Sequence, residues 1–193
     1  FMDVFSRKIV GWQVYAEESS AQASEVLKDL CVREAIQPHQ VILHSDNGGP
    51  MKGATMLATL QALGIMPSLS RPRVSNDNPY SESLFKTLKY RPAYPLDVFD
   101  TLFAARTWAT GLVHWYNHEH RHSAIRFVTP AQRHAHLDQA ILDQRVALYE
   151  AARQSQPLRW KGATRNWTRI HTVHLNPDQD AITTARNQER KAA

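Results

Sequence analysis

Residues 41–49 read VILHSDNGG, and this stretch is the most informative about the fold. Its run of β-branched and aliphatic residues predicts a buried strand over residues 41–44, and Asn47-Gly48-Gly49 predicts a turn directly after it. Asp46 then lies at the carboxyl end of a strand, where open α/β sheets bind their ligands. Taken alone, the stretch favours an ordinary turn, since Asp and Asn stabilise turns and Gly accepts positive φ.

The elements on either side of this strand predict an α/β fold. Apolar residues at helical spacing predict a helix over residues 21–36, with Ser19 or Ser20 as its N-cap. A second helix is predicted over residues 51–65, with Gly64 as its C-cap, and a short strand follows it. Because residues 3–16 read as strand, turn and strand before this alternation begins, we expect a sheet that is not wholly parallel.

Helices are predicted to dominate the second half of the chain. Residues 71–79, RPRVSNDNP, predict a loop, which we expect to be mobile without metal or DNA, and Asn78 predicts the N-cap of the next helix. A long helix is predicted over residues 98–117. The tetrapeptide TPAQ at residues 129–132 has the pattern of a capping box and predicts a further helix that extends to residue 153.

Composition favours one globular domain with an appended arm. The chain has 193 residues, 42% of them hydrophobic. No stretch approaches the ~18 apolar residues that a membrane helix needs, so we expect no membrane partner and a cytoplasmic location. The single cysteine, Cys31, excludes an internal disulfide and is expected in the core, on a helix.

The positive charge is concentrated in the last third of the chain. Residues 1–120 carry 11 basic and 12 acidic side chains, a net charge of −1, whereas residues 121–193 carry 12 basic and 6 acidic ones, a net charge of +6. A basic segment beside a near-neutral body indicates a polyanionic partner. A solvated basic tail explains the same charge equally well.

Glu82 is a second carboxylate that could carry chemistry. It falls in the first turn of its helix, where a carboxylate stabilises the helix dipole, and a surface pair with Lys86 would contribute about 0.2–0.5 kcal/mol. Glu82, Lys86 and Lys89 share one face of the helix, and Leu84 and Leu88 lie on the opposite face. A carboxylate with two lysines behind it could hold a metal ion and the phosphates around it.

Three motifs around these carboxylates point to one family. They are HSDNGG at residues 44–49, NDNPYSESLFKTLK at residues 76–89 and WYNHEHRHSAIRFVTPAQ at residues 115–132, and 35 residues separate Asp46 from Glu82. In this order and spacing they resemble the catalytic core of bacterial insertion-sequence transposases, relatives of retroviral integrase in the DDE, RNase H-like superfamily. The opening DVFSRKIVGW resembles the second and third strands of that core, and RWKGATRNW resembles the tail of one branch.

The resemblance implies an RNase H-like mixed sheet flanked by helices in a core over residues 1–136, with a helical and basic extension over residues 137–193. It implies a polynucleotidyl transferase that joins DNA strands with two Mg²⁺ or Mn²⁺ ions held by three carboxylates. Asp46 matches the second carboxylate and Glu82 the third, so both are the expected metal ligands. Lys89 matches a recurrent family lysine and is the better candidate for contacting DNA phosphates, and Lys86 is the weaker one.

The first catalytic aspartate of the family lies on a strand upstream of DVFSR. Asp3 matches the DxFSR aspartate instead, for which we expect a structural role. We therefore expect an incomplete metal site in these 193 residues, with weak Mg²⁺ binding at Asp46 and Glu82 and little or no strand transfer. Two other functions stay open: a non-catalytic DNA-binding remnant and an RNase H-like nuclease.

DNA is the expected partner, at the bacterial nucleoid, and a homo-oligomer is possible. The DNA contacts predicted in the tail are Arg159, Lys161, Arg165 and Arg169. Trp160 and Trp167 could stack on bases beside them or pack on the core.

Four histidines lie close together in the sequence and could form a zinc site: His114, His118, His120 and His122. His114 and His118 have the i, i+4 spacing of helical zinc ligands, but the group contains no cysteine and its other members alternate. Within the resemblance, the residues Tyr116, Asn117, Arg121 and His122 belong to a structural motif that ends the long helix.

Overall fold

The computed structural model describes residues 1–71, 77–91, 94–95 and 97–175. The chain forms two compact units, the first from Phe1–Asp3 and Ile9–Val113 and the second from Val4–Lys8 and His114–Ala193. The predicted domain boundary at residue 136 stays a prediction. In the part of the chain that is described, no helix is long and apolar enough to cross a membrane.

A parallel β-α-β arrangement forms the centre of the first unit. The elements in order are helix α1 (Ser20–Arg33), strand β1 (Ile42–Ser45), helix α2 (Gly49–Lys52), helix α3 (Ala54–Leu63) and strand β2 (Met66–Leu69). The two strands pair in parallel, with Ile42 opposite Met66 and Ser45 opposite Leu69. Parallel strands need a crossover connection, which α2 and α3 supply.

The ends of these helices follow local sequence. The Ser19 hydroxyl accepts a hydrogen bond from the Ala21 N–H at 3.2 Å and caps α1. Gly64 ends α3 in the left-handed conformation, with φ of 64°, and a Cβ at this position would lie 2.8 Å from the Pro38 Cβ. Both predicted caps are confirmed, and glycine is required at the second by backbone conformation and by space.

Helices α1 and α3 enclose the core of the first unit. Its buried members are Leu27, Leu30, Cys31, Met56, Leu60 and Ile65. The predicted position of Cys31 in a helix and in the core is confirmed, and burial raises the pKa of its thiol. A neutral thiol in such surroundings behaves as a small apolar side chain.

The opening hairpin is less regular than its sequence predicts. An isolated antiparallel bridge joins Met2 to Ile9. The Phe1 carbonyl accepts hydrogen bonds from both the Val10 N–H (2.9 Å) and the Gly11 N–H (3.3 Å), and such bulge-type pairing interrupts a regular ladder. Among the described residues the sheet is therefore two-stranded and parallel, and the mixed sheet expected from the resemblance is reduced to isolated antiparallel bridges.

Two further helices follow β2. Helix α4 (Pro79–Lys89) has Asn78 as its N-cap residue, as predicted. Helix α5 (Leu102–His118) begins later than residue 98, where the sequence placed its start. The Thr101 hydroxyl accepts a hydrogen bond from the Ala104 N–H at 3.1 Å and so supplies an acceptor for the first turn of α5.

The second unit contains helix α6 (Pro130–His134), helix α7 (Asp138–Ser155) and two 3₁₀ turns, Ser123–Ile125 and Pro157–Arg159. The predicted capping box is confirmed, since the side chains of Thr129 and Gln132 each bond the other's backbone N–H. The single helix predicted from this box to residue 153 is wrong. It divides into α6 and α7 because His136 has a left-handed conformation, with φ of 57°.

Candidate functional site

Asp46 directly follows the last residue of β1 and begins the turn that leads into α2. Its Oδ1 accepts a hydrogen bond from the Gly48 N–H at 3.0 Å, while the side chain stays exposed. The Asn47 side-chain amide donates to the Ser70 carbonyl at 2.7 Å and so fastens the turn to the end of β2. The turn and the metal-ligand interpretations are therefore compatible, because one carboxylate oxygen supports the turn and the group remains open to solvent.

Glu82 lies in the first turn of α4 and is exposed. Lys86 and Lys89 lie in the last turn of the same helix and are also exposed. Leu84 and Leu88 are half-buried, so α4 presents its charged residues to solvent as the pattern predicts. A negative charge near the first turn and positive charges near the last are favourable for the helix itself.

His44 connects β1 to the segment that leads into α4. Its Nε2 donates to the Asp77 carbonyl at 2.9 Å, and its Nδ1 lies 3.0 Å from the Ser68 hydroxyl on β2. A neutral ring with its proton on Nε2 makes both bonds, since Nδ1 then accepts from the hydroxyl. The motifs do not single out His44, although its position two residues before Asp46 in an extended segment places both side chains on one face.

Arg71 and Asp77 hold together the two ends of the predicted loop. The Arg71 backbone N–H and Nε donate to Asp77 Oδ2 at 2.7 and 2.9 Å, and Nη2 donates to Oδ1 at 2.8 Å. Asp77 is only 5% exposed, and charge-assisted bonds of this kind are among the strongest in proteins. Residues 72–76 lie outside the described part of the chain, so the expected loop mobility stays a prediction.

The donor atoms of this site suit a hard divalent cation. Carboxylate oxygens are the ligands that Mg²⁺ prefers, and it is commonly held by one or two carboxylates with water and phosphate completing its shell. Asp46 and Glu82 fit such a two-carboxylate set in donor chemistry. Within the described ranges, no group of three or more His, Cys, Asp or Glu side chains is placed to hold a metal ion.

The motif that ends α5 lies in the second unit, where Tyr116 and Asn117 are buried. Tyr116 is 1% exposed, and burial raises its pKa to about 12. The His122 ring accepts a hydrogen bond from the Ala124 N–H at 3.2 Å and caps the first 3₁₀ turn. Burial, together with the charges of Arg7 and His120, lowers the pKa of His122 to about 4. These contacts support the structural interpretation of the motif.

The aromatic residues of the tail differ in their surroundings. Trp167 is 5% exposed, and its ring packs edge-on against Phe127 and Tyr149 in the core of the second unit. Of the two alternatives for Trp167, packing on a core is the one observed. Trp160 is half-buried, with its ring 6.1 Å from that of Tyr149.

The four basic residues assigned to DNA also differ. Arg159, Lys161 and Arg165 are exposed. The Arg169 guanidinium instead binds the Asp138 carboxylate through two hydrogen bonds of 2.7 and 2.8 Å. A DNA contact by Arg169 stays a prediction, and it would have to compete with this ion pair.

No sequence pattern predicts the buried ion cluster around Asp138. Asp138 and Arg133 are both fully buried, 3.5 Å apart. Arg133 also donates to the carbonyls of Phe5 at 2.8 Å and Ile170 at 2.7 Å. Asp138 thus forms ion pairs with both Arg133 and Arg169 and stabilises the second unit.

Comparison with known families identifies the chain. A family model described as an integrase core domain matches residues 1–75, and a second model of the same description matches residues 63–130. The chain contains an integrase core domain over residues 1–130. The first match contains Asp46 and the second contains Glu82, so both candidate ligands lie in matched segments.

Curated relatives of this integrase core are transposases by name. The transposase for insertion sequence element IS904 from Lactococcus lactis is 31% identical over 67% of this chain and 51% of its own length. The putative transposase for IS986/IS6110 from Mycobacterium tuberculosis is 28% identical over 69% of this chain and 49% of its own. The chain spans about half the length of these relatives. In structure, it matches the catalytic core domain of BIV integrase with a TM-score of 0.47 and 23% identity, over 66% of this chain and 78% of that one.

Proposed function

We propose that this integrase core acts in DNA transposition, as the metal-dependent core of a DDE-type strand-transfer enzyme with Asp46 and Glu82 among its metal ligands. The observation that carries the proposal is the position of the two carboxylates. Asp46 follows β1, Glu82 opens α4, and His44 bonds the strand to the residue before the N-cap of that helix. The transposase names of the curated relatives support the same reaction class.

The residues around the site have complementary roles in this proposal. A bound Mg²⁺ or Mn²⁺ supplies electrostatic stabilisation of the charge on a transferring phosphate. Asp46 and Glu82 provide its anionic oxygens, and Lys86 and Lys89 on α4 provide positive charge for neighbouring phosphates of the DNA. Asp3 is not a ligand, because its sequence context matches a different aspartate of the family. The substrate is DNA of the bacterial nucleoid, in the cytoplasm.

Binding of Mn²⁺ tests the ligand assignment directly. Titration of the chain followed by electron paramagnetic resonance should detect a weak site, since two carboxylates leave most of the coordination shell to water. Asp46→Asn and Glu82→Gln should each remove it. Asp3→Asn and the charge-matched control Asp29→Asn, on the exposed face of α1, should leave it unchanged. Binding that survives both site substitutions, or that Asp3→Asn abolishes, overturns the assignment.

Activity assays separate the proposed reaction from its alternatives. Labelled terminal-repeat DNA incubated with Mn²⁺ should show little strand transfer, because the carboxylate set is expected to be incomplete, and any weak nicking should depend on Asp46 and Glu82. DNA binding without any such product would indicate a non-catalytic DNA-binding remnant. Cleavage of an RNA–DNA hybrid in preference to duplex DNA would indicate an RNase H-like nuclease.

A further inference from the structure

The four histidines near the end of α5 have different surroundings. His122 is half-buried, and its ring accepts a hydrogen bond from the Ala124 N–H at 3.2 Å. The ring of His120 stacks on that of Tyr116, with a centroid distance of 5.5 Å and an interplanar angle of 17°. These two histidines therefore take part in the packing of the second unit, which separates them from the other two.

His114 and His118 lie one turn apart near the C-terminal end of α5, and both are exposed. Both belong to the second unit. Neither ring makes a hydrogen bond or an ion pair with any residue that the structure describes. A neutral imidazole carries one nitrogen with a lone pair that can accept. Each ring therefore has a nitrogen that can bind an external partner.

The separation of these two rings matches the binding of a single metal ion. A zinc ion lies about 2.0–2.1 Å from a histidine nitrogen. Bond angles at the metal of about 90° to 109°, the square-planar and tetrahedral values, place the two ring centres about 4.5–5.2 Å apart. The ring centroids of His114 and His118 lie 4.9 Å apart. The helix itself sets this spacing, because residues four apart are neighbours on its surface.

Packing and helix electrostatics do not account for the pair. The interplanar angle of 57° is far from parallel stacking, and two exposed rings bury little apolar surface against each other. The negative end of the helix dipole favours a cation in the last turn. That turn contains His118 but not His114.

Imidazole nitrogens favour a different class of cation from the carboxylates Asp46 and Glu82. They suit Zn²⁺, Ni²⁺ and Cu²⁺, whereas Mg²⁺ prefers oxygen and Mn²⁺ is the weakest binder of the divalent transition series. Among the described residues, no third His, Cys, Asp or Glu side chain joins the pair. Water would therefore complete the coordination shell.

We propose that His114 and His118, here named the histidine pair, chelate one divalent transition-metal ion of the zinc, nickel and copper class. This site is separate from the proposed function and does not depend on it. A bound ion would link two successive turns of α5 next to the buried Tyr116 and Asn117. Because the helix holds the two rings at the chelating distance and the unfolded chain does not, the ion should stabilise the folded chain.

Calorimetric titration of the untagged full chain with Ni²⁺ tests the histidine pair. His114→Asn and His118→Asn should each weaken Ni²⁺ binding by about tenfold or more, because the second imidazole binds intramolecularly in the chelate. The double variant should bind little more weakly than either single variant. The control His39→Asn removes another exposed histidine, at a left-handed position that asparagine accepts, and should leave the affinity unchanged.

Two further measurements assign the site. Ni²⁺ should raise the thermal midpoint of the unaltered chain more than that of either single variant. In nuclear magnetic resonance spectra, substoichiometric Cu²⁺ should broaden the ring-proton signals of His114 and His118 before those of the other histidines. The double variant Asp46→Asn/Glu82→Gln should bind Ni²⁺ as the unaltered chain does, so this result does not depend on the carboxylate site.

The inference is overturned by equal Ni²⁺ affinity of the unaltered chain and both single variants. Displacement of the bound Ni²⁺ by millimolar Mg²⁺ would overturn it as well, since an oxygen site would then hold the ion. If a histidine variant does not fold, as judged by its thermal unfolding curve without metal, the Cu²⁺ broadening of the unaltered chain decides. Broadening that begins at other histidines overturns the histidine pair.

Discussion

Lowering the pH from 7.5 to 5 should destabilise the second unit through His122. Burial, assisted by the charges of Arg7 and His120, holds the pKa of this ring at about 4 in the folded chain, against about 6.5 when it is unfolded. The unfolded chain therefore takes up the proton first. The stability that the neutral ring contributes is fully present above about pH 6.5 and is lost as the pH falls towards 4.

The size of the effect follows from the two pKa values. Proton linkage gives a loss of about 2 kcal/mol at pH 5 for this single group. The ring is only half-buried, so solvent screens part of the interaction, and about 1–2 kcal/mol is the expected loss. Burial also lowers the pKa of His120, which adds to the loss in the same direction.

The variant His122→Asn isolates this contribution. An asparagine oxygen can accept the Ala124 N–H as the His122 ring does, so the 3₁₀ turn keeps its cap, but it does not titrate. Urea unfolding followed by fluorescence at pH 7.5 and 5 should show a smaller loss for this variant than for the unaltered chain, by about 1–2 kcal/mol. The exposed-site control His118→Asn should behave as the unaltered chain does.

Nuclear magnetic resonance of the ring protons measures the pKa itself. A His122 titration midpoint near 6.5, or equal pH dependence for His122→Asn and the unaltered chain, would refute the reasoning. The first result would mean that burial does not disfavour the charged ring. The second would mean that other groups carry the acid sensitivity.

Three further substitutions test the packing that supports the site. Asp138→Asn removes the carboxylate shared by the buried Arg133 and the half-buried Arg169 and should lower the free energy of unfolding in urea by about 3–5 kcal/mol. Asp143→Asn, at an exposed position of α7, should change it little. His44→Ala removes the bond to the Asp77 carbonyl and should lower the free energy of unfolding by about 1–3 kcal/mol. Amide hydrogen exchange in the first turn of α4 should also become faster, and unchanged exchange there would contradict the link from β1 to α4. Gly64→Ala should cost more than about 1 kcal/mol, because the alanine Cβ meets Pro38 in a left-handed backbone, and an unchanged thermal midpoint would count against this.

The sequence alone was sufficient to predict the features that depend on neighbouring residues. The caps at Ser19, Gly64 and Thr129 depend on residues within a few positions of each other, so their side-chain chemistry determines them before any tertiary contact forms. The motifs around Asp46 and Glu82 are likewise contiguous, and they determined the family. Charge counting along the chain also located the basic third, because it requires no partner to be known.

Only the tertiary structure shows which charged side chains pair within the chain and which aromatic rings pack in its cores. Arg169 bonds Asp138 across 31 positions and His44 bonds Asp77 across 33, and no local pattern predicts either pair. The same holds for Trp167. Its basic neighbours in the sequence are compatible with stacking on DNA bases, but its ring packs against Phe127 and Tyr149. A side chain's partner depends on which distant segments the fold brings within about 3–4 Å, where hydrogen bonds and packing act, and spacing along the chain does not contain that information.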